Sequence, residues 1–302
     1  MDNQRLLQEF YQGSLRALSR IISRVENDPG GSLDLLSRLS SSSEAVVAGI
    51  TGPPGSGKST LINAMLTQLV NEGKRVAVIA VDPSSPFHGG ALLGDRIRMQ
   101  AHYSHPGVYI RSLASRGALG GLSGTCIEVL DVLKAFGFDH ILIETVGVGQ
   151  SEVEVAALAD TTLVVLVPEA GDEIQALKSG LMEVADIFVV NKSDREGARE
   201  LVIILQRMLH DRPEGEWKIP VLQTTATESE QNGEIIAQIR QHAKAVSNTK
   251  KPLLLASRAW QLIAQNRMRD VSKDELLQQL TPLAADPAFN LYKFVKEYPE
   301  SN

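Results

Sequence analysis

Short apolar runs alternate with stretches of helical periodicity along most of the chain. The segments between the runs carry apolar residues at every third or fourth position. This alternation predicts βαβ units, and therefore an α/β fold with a mostly parallel sheet flanked by helices. The apolar runs are residues 45–50, 76–81, 108–110, 140–143, 162–167, 187–190 and 219–222.

Helical patterns flank this alternating region on both sides. Residues 4–25 carry apolar positions at helical spacing, and a shorter helix over 33–39 leads into a serine run that is typical of a linker. Beyond residue 250 come two further helical patterns, at about 253–269 and 273–281, and a last apolar segment, and this whole tail is too short to hold a core of its own. It is expected to pack on the α/β region or on another copy of the chain. The predicted segments are 1–43, 44–250 and 251–302.

Composition narrows the class of protein. The chain has 302 residues, 43% of them hydrophobic, and a net charge of -6. No long basic stripe occurs, so nucleic acid is not an expected partner. No run is long enough for a transmembrane helix, and the first residues lack the pattern of a signal or transit peptide, so a cytoplasmic protein without a membrane contact is expected. The single cysteine, Cys126, lies in a helix-like stretch and is expected to be a buried core thiol.

A G-x-x-x-x-G-K-S motif separates the first apolar run from a helix-like segment. Glycines let the backbone wrap around phosphates, and the loop amides and the helix N-terminus attract their charge. Lys58 is predicted to reach the β- and γ-phosphates and Ser59 to bind Mg²⁺. The chain is therefore predicted to bind a nucleoside triphosphate. The predicted phosphate loop is Gly52, Pro53, Pro54, Gly55, Ser56, Gly57, Lys58, Ser59 and Thr60.

A second motif selects the base. The run 187–190 ends in N-K-x-D, formed by Asn191, Lys192 and Asp194 around a serine. A carboxylate at Asp194 can accept hydrogen bonds from both the ring N–H and the exocyclic amine of guanine, whereas adenine presents an acceptor at the ring position. Asn191 is expected to tie this loop to the phosphate loop, and the Lys192 stem to cover the base. Thr225 and Ala226, after run 219–222, are expected to support the base through backbone amides.

The segments between these motifs predict switch elements. A glycine-containing loop with two carboxylates, Asp82 and Asp95, is typical of a switch that closes over Mg²⁺ and the γ-phosphate. Glu144 stands where many GTPases have the aspartate of D-x-x-G, and it can act on Mg²⁺ through water while the Gly147 amide senses the γ-phosphate. Gln150 either positions the attacking water or caps a helix.

Residues 81–86, 94–99, 144–152 and 170–175 together resemble the MeaB/MMAA family of G-protein chaperones, which serve adenosylcobalamin-dependent acyl-CoA mutases. Proteins described as ArgK or LAO-type arginine/ornithine transport ATPases share these motifs. The resemblance extends to residues 16–26 and covers nearly the whole chain.

This resemblance implies a SIMIBI-class P-loop GTPase that hydrolyses GTP to GDP with Mg²⁺ and forms a homodimer through its C-terminal helices. It implies that Asp82, Asp95 and Glu144 surround Mg²⁺, and that loop 168–180, with Asp172 and Lys178, is a third switch. The implied partner is a mutase such as methylmalonyl-CoA mutase, with an adenosyltransferase as a further candidate. Adenosylcobalamin would enter through the mutase. The GTPase would gate cofactor loading and protect or reactivate the mutase.

An alternative function is a nickel-insertion metallochaperone GTPase, which shares the general fold. That function needs a metal-loading surface, yet the chain has one cysteine, and His102 and His105 form only an H-x-x-H pair that is more typical of solvated surface. A transport ATPase would require ATP preference, which the N-K-x-D loop opposes.

Overall fold

The computed structural model describes residues 3–28, 31–40, 44–82, 99–114, 125–145, 151–168, 180–211, 216–226, 232–246, 251–268, 271–284 and 289–298. The chain divides into two compact units, Met1–Lys251 and Pro252–Asn302.

The described helices and strands follow the alternation seen in the sequence. The helices are α1 (Asn3–Tyr11), α2 (Leu15–Asn27), α3 (Leu33–Leu36), α4 (Lys58–Asn71), α5 (Thr125–Phe136), α6 (Ser151–Leu158), α7 (Met182–Val184), α8 (Ala198–His210), α9 (Asn232–Ala245), α10 (Lys251–Arg267), α11 (Lys273–Leu283) and α12 (Leu291–Glu297). The strands are β1 (Val46–Thr51), β2 (Val76–Asp82), β3 (Val108–Ala114), β4 (His140–Glu144), β5 (Thr161–Leu166), β6 (Ile187–Asn191) and β7 (Val221–Thr224).

All seven strands form one parallel sheet in the order β3-β2-β4-β1-β5-β6-β7. The central strands β1, β4, β5 and β6 are almost fully buried, as expected for a sheet covered on both faces. One face packs on the apolar side of α4 and α9, and β5 and β6 also pack on α8. The predicted α/β fold is confirmed. The predicted buried thiol is confirmed as well, since Cys126 lies in the core on α5.

Several element boundaries differ from the pattern, and two of the differences have a clear physical reason. The N-terminal helical segment is two helices, because Gly13 takes a φ of 84° and the Ser14 hydroxyl accepts a hydrogen bond from the Ala17 amide, which starts α2. The last strand begins at Val221 and not at residue 219. Pro220 has no N–H to donate to the ladder, although its carbonyl still accepts from the Phe188 amide.

The N-terminal helices belong to the same compact unit as the sheet. Helix α2 packs on both α1 and α5, and the Phe10 ring meets Phe136 edge-on at 5.1 Å between centroids. From β3, the Arg111 guanidinium donates to the Ser23 hydroxyl at 3.2 Å and pairs with Glu26. Apolar packing therefore holds α2 against α1 and α5, and one partly buried ion pair holds it to β3.

The described residues of the second unit form three helices, and two of these begin at side-chain caps. Ser272 accepts from the Glu275 amide, and Asn290 accepts from the Lys293 amide. Many of its large apolar side chains are exposed. They are Leu253, Leu255, Trp260, Ile263, Met268, Leu277, Leu283, Leu291, Tyr292 and Val295. Among the described residues, no helix is both long and apolar enough to cross a bilayer.

His140, the first residue of β4, is a buried titratable group that should make stability depend on pH. Its Nε2 faces Arg240 at 3.3 Å, and Arg240 also pairs with Glu72. Burial, and after it the charge of Arg240, lower the pKa of His140 to about 4, while the nearby Asp139 and Glu72 charges oppose the shift and Lys74 adds to it.

Because the unfolded chain takes up a proton on His140 near pH 6.5 and the folded chain does not, stability should fall as pH drops toward 4. Between pH 7 and 5 this histidine alone should cost about 2 kcal/mol. Urea titrations of wild type and His140→Gln at both values test it. Wild type should lose more stability than the variant, and parallel losses would contradict the assignment. Glu72 is present in both proteins, and the hydrogen bond from Arg240 is the main cause that lowers its pKa, while the charge of His140 is the smallest of the causes.

Candidate nucleotide site

The predicted site residues meet at one edge of the sheet because the strands are parallel. Thr51 ends β1, Asp82 ends β2, Glu144 ends β4 and Asn191 ends β6. The β1 strand lies between β4 and β5. The chain adds β2, β3 and β4 on one side of β1 and β5, β6 and β7 on the other, so the loop after β1 leaves the sheet where the strand order reverses. Ligands of open α/β sheets bind in the crevice at such a point.

The backbone of the phosphate loop requires glycine at two positions. Gly52 has a φ of 136°, and a Cβ there would lie 2.1 Å from the carbonyl oxygen of Val165 on β5. Gly57 has a φ of 88° and caps α4, and a Cβ there would lie 2.3 Å from Nδ2 of Asn191. Side chains at these positions would collide with the neighbouring strand ends. The loop therefore packs closely enough to present its amides, together with the N-terminus of α4, to an anion.

Lys58 and Ser59, the first residues of α4, are both buried. The Lys58 ammonium donates to the carbonyl of Gly52 at 2.7 Å and to that of Pro53 at 3.0 Å. It therefore lies against the first two residues of the phosphate loop. The Ser59 hydroxyl donates to Oε1 of Glu144 at 2.6 Å. The sequence motif places these side chains on one helix turn, and the fold adds the carboxylate from residue 144, far along the chain.

The Ser59–Glu144 contact tests whether the site fits Mg²⁺. A hydroxyl and a carboxylate oxygen that lie within hydrogen-bond distance, both on buried residues, are the hard oxygen ligands that Mg²⁺ takes directly or through water. The donor set fits the ion. In the described residues no group of three or more His, Cys, Asp and Glu side chains is placed to hold a metal ion.

Asn191 links the base-reading loop to the phosphate loop. Its buried Nδ2 donates to the carbonyl of Ser56 at 2.8 Å, and its Oδ1 accepts from the Ala226 amide at 3.1 Å. One side chain thus joins the phosphate loop, the N-K-x-D loop and the loop after β7. The link that the sequence predicted for Asn191 is present in the structure.

The rest of the base-reading loop turns outward from this anchor. Lys192 takes a φ of 55°, the only positive value at a non-glycine among the described residues. The Ser193 amide donates to the carbonyl of Thr224, and the Thr225 hydroxyl lies 3.4 Å from Oδ1 of the exposed Asp194. The left-handed turn at Lys192 and the contact from Thr225 leave the Asp194 carboxylate at the surface, where it can accept donors from a ligand.

Several predicted residues cannot be placed. Asp82 is described as the end of β2, and five further predicted switch residues lie outside the described part of the chain. These are Asp95, Gly147, Gln150, Asp172 and Lys178.

Sequence reasoning missed two polar residues at the site. Thr51 and Thr145 are both buried, and their hydroxyls lie 3.0 Å apart. The sequence did contain an indication of this pair, since each of two apolar strand patterns ends in a threonine next to a predicted site residue, Gly52 or Glu144. One of the two histidines, His102, also differs from the surface interpretation, whereas His105 is exposed. His102 is buried, its ring lies 3.0 Å from the Thr67 hydroxyl, and burial lowers its pKa, while Nδ1 of His105 accepts from the Gly107 amide.

The chain matches a known protein family over most of its length. The family described as methylmalonyl-CoA mutase-associated GTPase MeaB matches residues 18–283. The chain belongs to the MeaB family. The predicted family is thereby confirmed, and the chain is a GTPase that binds GTP and GDP.

Individual relatives agree with this family. A Pyrococcus horikoshii protein that is named as a GTPase is 45% identical over 251 residues, which are 82% of this chain and 79% of that protein. GTPase ArgK of Escherichia coli is 38% identical over 81% of this chain and 73% of its own length. The mouse mitochondrial methylmalonic aciduria type A homolog is 37% identical over 78% of this chain and 59% of its own.

A solved structure described as a LAO/AO transport system kinase has the same fold. The two structures superpose with a TM-score of 0.69 at 25% sequence identity. The match covers 98% of this chain and 95% of the other chain. The fold of this MeaB-family chain is that of the SIMIBI-class P-loop GTPases, as the sequence resemblance predicted.

Proposed function

We propose that this GTPase is a chaperone of an adenosylcobalamin-dependent acyl-CoA mutase such as methylmalonyl-CoA mutase. It gates cofactor loading and protects or reactivates the mutase, and GTP hydrolysis is the switch. The observation that carries the proposal is the match to the mutase-associated GTPase family over residues 18–283. The name of the mouse relative, which refers to methylmalonic aciduria, supports the same client. Adenosylcobalamin belongs to the mutase in this account.

Within the proposed nucleotide site, the phosphate loop from Gly52 to Thr60 wraps the phosphates, and its close packing on the ends of β5 and β6 supports this role. Lys58 contacts the β- and γ-phosphates, where its charge stabilises the transferred phosphoryl group. Asp194 accepts two hydrogen bonds from guanine, and the Lys192 stem covers the base. Asn191, Thr225 and Ala226 hold the base-reading loop in place.

Ser59 and Glu144 would hold Mg²⁺ together with Asp82 and Asp95, and the ion would supply charge neutralisation at the phosphates. The 2.6 Å contact between Ser59 and Glu144 supports this assignment. We also assign the Gly147 amide to sensing the γ-phosphate. Gln150 either orients the attacking water or caps α6.

Co-purification tests the proposed client. The tagged full chain is mixed with a purified adenosylcobalamin-dependent mutase in the presence of GDP or a nonhydrolysable GTP analogue, with and without an adenosyltransferase. A complex whose amount depends on the nucleotide supports the proposal. No complex in either nucleotide state, together with tight nickel binding by the chain alone, would favour the nickel-insertion alternative instead.

Loop 168–180 is the proposed third switch, since it follows β5 directly and is acidic with two glycines. Mutase binding should speed up GTP hydrolysis by bringing Lys178 toward the nucleotide. Asp172→Ala and Lys178→Ala should each lose most of this stimulation while nucleotide affinity stays unchanged. Steady-state hydrolysis with and without mutase measures it. Glu183→Ala, at an exposed position just after the loop, is the matched control. Stimulation of both loop variants at the wild-type level would remove the loop from the mechanism.

We further propose that the second unit forms a homodimer with another copy of the chain. Its ten large apolar side chains that are each more than 40% exposed support this, because association buries exposed apolar surface. Light scattering should give twice the chain mass of 32.8 kDa. Trp260→Glu, at a side chain that is 72% exposed, should shift the mass toward one chain. Gln279→Glu adds the same charge at an exposed polar position and should leave the dimer intact. A monomeric wild type would contradict the proposal.

A further inference from the structure

A basic groove runs along α2 where this helix meets α1. It measures about 470 Å³, and its lining consists of one residue of α1 and five polar residues of α2, namely Leu6, Arg16, Ser19, Arg20, Ser23 and Arg24. Arg16 is exposed, whereas the other four polar residues are half-buried. Among the described residues, no acidic side chain lines the groove. Positive charge is thus concentrated at one place in a chain whose net charge is -6.

The carboxylate that α2 carries lies beside the groove and does not line it. This residue, Glu26, pairs with Arg111, which reaches it from β3. The Arg24 guanidinium donates to Oδ1 of Asn3 at 2.7 Å. Because that partner is a neutral amide, the bond orients the guanidinium and leaves its positive charge in the groove.

The spacing of the arginines indicates what kind of anion fits. Arg16, Arg20 and Arg24 recur at every fourth residue, so their Cα atoms lie about 6 Å apart along the helix axis and span about 12 Å in total. A compact anion such as inorganic phosphate is too short for this row. Glutamates at every fourth residue of another helix have the same spacing, and a guanidinium holds a carboxylate through two parallel hydrogen bonds.

Nucleic acid also carries a row of negative charges, but the groove fits it less well. Among the described residues that line the groove, none is aromatic, so bases have no ring on which to stack. The net charge of the chain also opposes a long polyanion, whereas a short acidic segment brings few charges. The observations therefore favour a protein segment.

We propose that this groove is a docking surface for an acidic helical segment of a partner protein, whose carboxylates pair with Arg16, Arg20 and Arg24. The aliphatic stems of the arginines would at the same time cover apolar atoms of that segment. This surface goes beyond the proposed GTP-dependent function, since none of its residues belongs to the phosphate or base motif.

Designed peptides test the groove in the full chain. The probe is an alanine-rich helical peptide of about 16 residues with glutamate at every fourth position. A second peptide has the same glutamates in one continuous block, and a third has glutamine in their place. Fluorescence anisotropy of the labelled peptides measures binding at low salt, with GDP and Mg²⁺ in excess so that the phosphate loop is occupied.

The wild-type chain should bind the spaced glutamate peptide more tightly than the block peptide and should not bind the glutamine peptide. Arg16→Ala and Arg20→Ala should each weaken binding of the spaced peptide about 3- to 10-fold. Arg20→Lys keeps the charge without the planar fork and should lose less. Arg199→Ala, which removes an exposed guanidinium from α8, is the matched control and should bind like wild type. Melting temperature and GDP affinity should be the same in all variants.

Three results would overturn the proposal. The first is that wild type does not bind the spaced peptide at millimolar concentration. The second is that both glutamate peptides bind equally well, or that the groove variants bind like wild type, which would show general charge attraction only. The third is that a single-stranded oligonucleotide of the same charge binds more tightly than the spaced peptide and loses affinity in Arg16→Ala and Arg20→Ala, which would make the groove a nucleic-acid surface.

Discussion

Replacing Lys58 with alanine should lower GTP hydrolysis about 100- to 1,000-fold, the usual loss when one charge-stabilising donor is removed from a site that excludes water. Lys58 is buried at the start of α4, and its ammonium already lies between the carbonyls of Gly52 and Pro53. Phosphates in the loop would replace these carbonyls as partners of the ammonium. Single-turnover hydrolysis with bound GTP in excess Mg²⁺ measures the chemical step without product release.

The matched control for this prediction is Lys244→Ala. It removes an exposed ammonium in the last turn of α9 and should leave the rate unchanged. If Lys58→Ala hydrolyses GTP at the wild-type rate, the role of Lys58 in catalysis is wrong, even though the fold and the family assignment stand.

Replacing Asp194 with asparagine should weaken GDP binding about 10- to 150-fold, because one of two charge-assisted bonds, each worth about 1.5–3 kcal/mol, is lost. The amide now offers a donor, and xanthine presents an acceptor where guanine has its amine. Affinity for xanthosine diphosphate should therefore rise. The contact from Thr225 to Asp194 should hold the new side chain in the same place.

Calorimetry with GDP, ADP and xanthosine diphosphate separates base selection from loss of folding. Asp211→Asn, at an exposed position that ends α8, makes the same chemical change away from the site and should bind GDP like wild type. A wild-type protein that binds ADP as tightly as GDP would show that the N-K-x-D loop does not select the base.

The sequence predicted those parts of the site whose conformation is determined by residues adjacent in the chain. The phosphate loop, Lys58 and Ser59 follow from one motif between a strand pattern and a helix pattern, and the Asn191 link follows from a second motif. The loop geometry agrees with the motif because the backbone shape of such loops depends on local residues, above all on glycines with positive φ. The ligand roles of Lys58 and Ser59 stay predictions. The order of the seven strands was not predicted, since alternation alone does not fix which strands are neighbours.

The contacts that escaped prediction join residues that are far apart in the chain. Thr51 and Thr145 are separated by 94 positions, and each looks like an ordinary strand end until β1 and β4 are placed side by side. The His102 ring likewise contacts a hydroxyl from α4, that of Thr67, which lies 35 positions earlier in the chain. The break at Gly13 was missed for a different reason, because the apolar spacing continues across it and hides the cap at Ser14.

The proposed role as a mutase chaperone is tested most directly by GTP hydrolysis of the full chain with and without an adenosylcobalamin-dependent acyl-CoA mutase. Turnover is measured at saturating GTP and Mg²⁺ while mutase concentration is raised from zero to excess, with Lys58→Ala as the background. The account predicts slow hydrolysis by the chain alone and a saturable increase as mutase is added. A rate that does not change with any such mutase, although the wild-type chain binds and hydrolyses GTP, would contradict it.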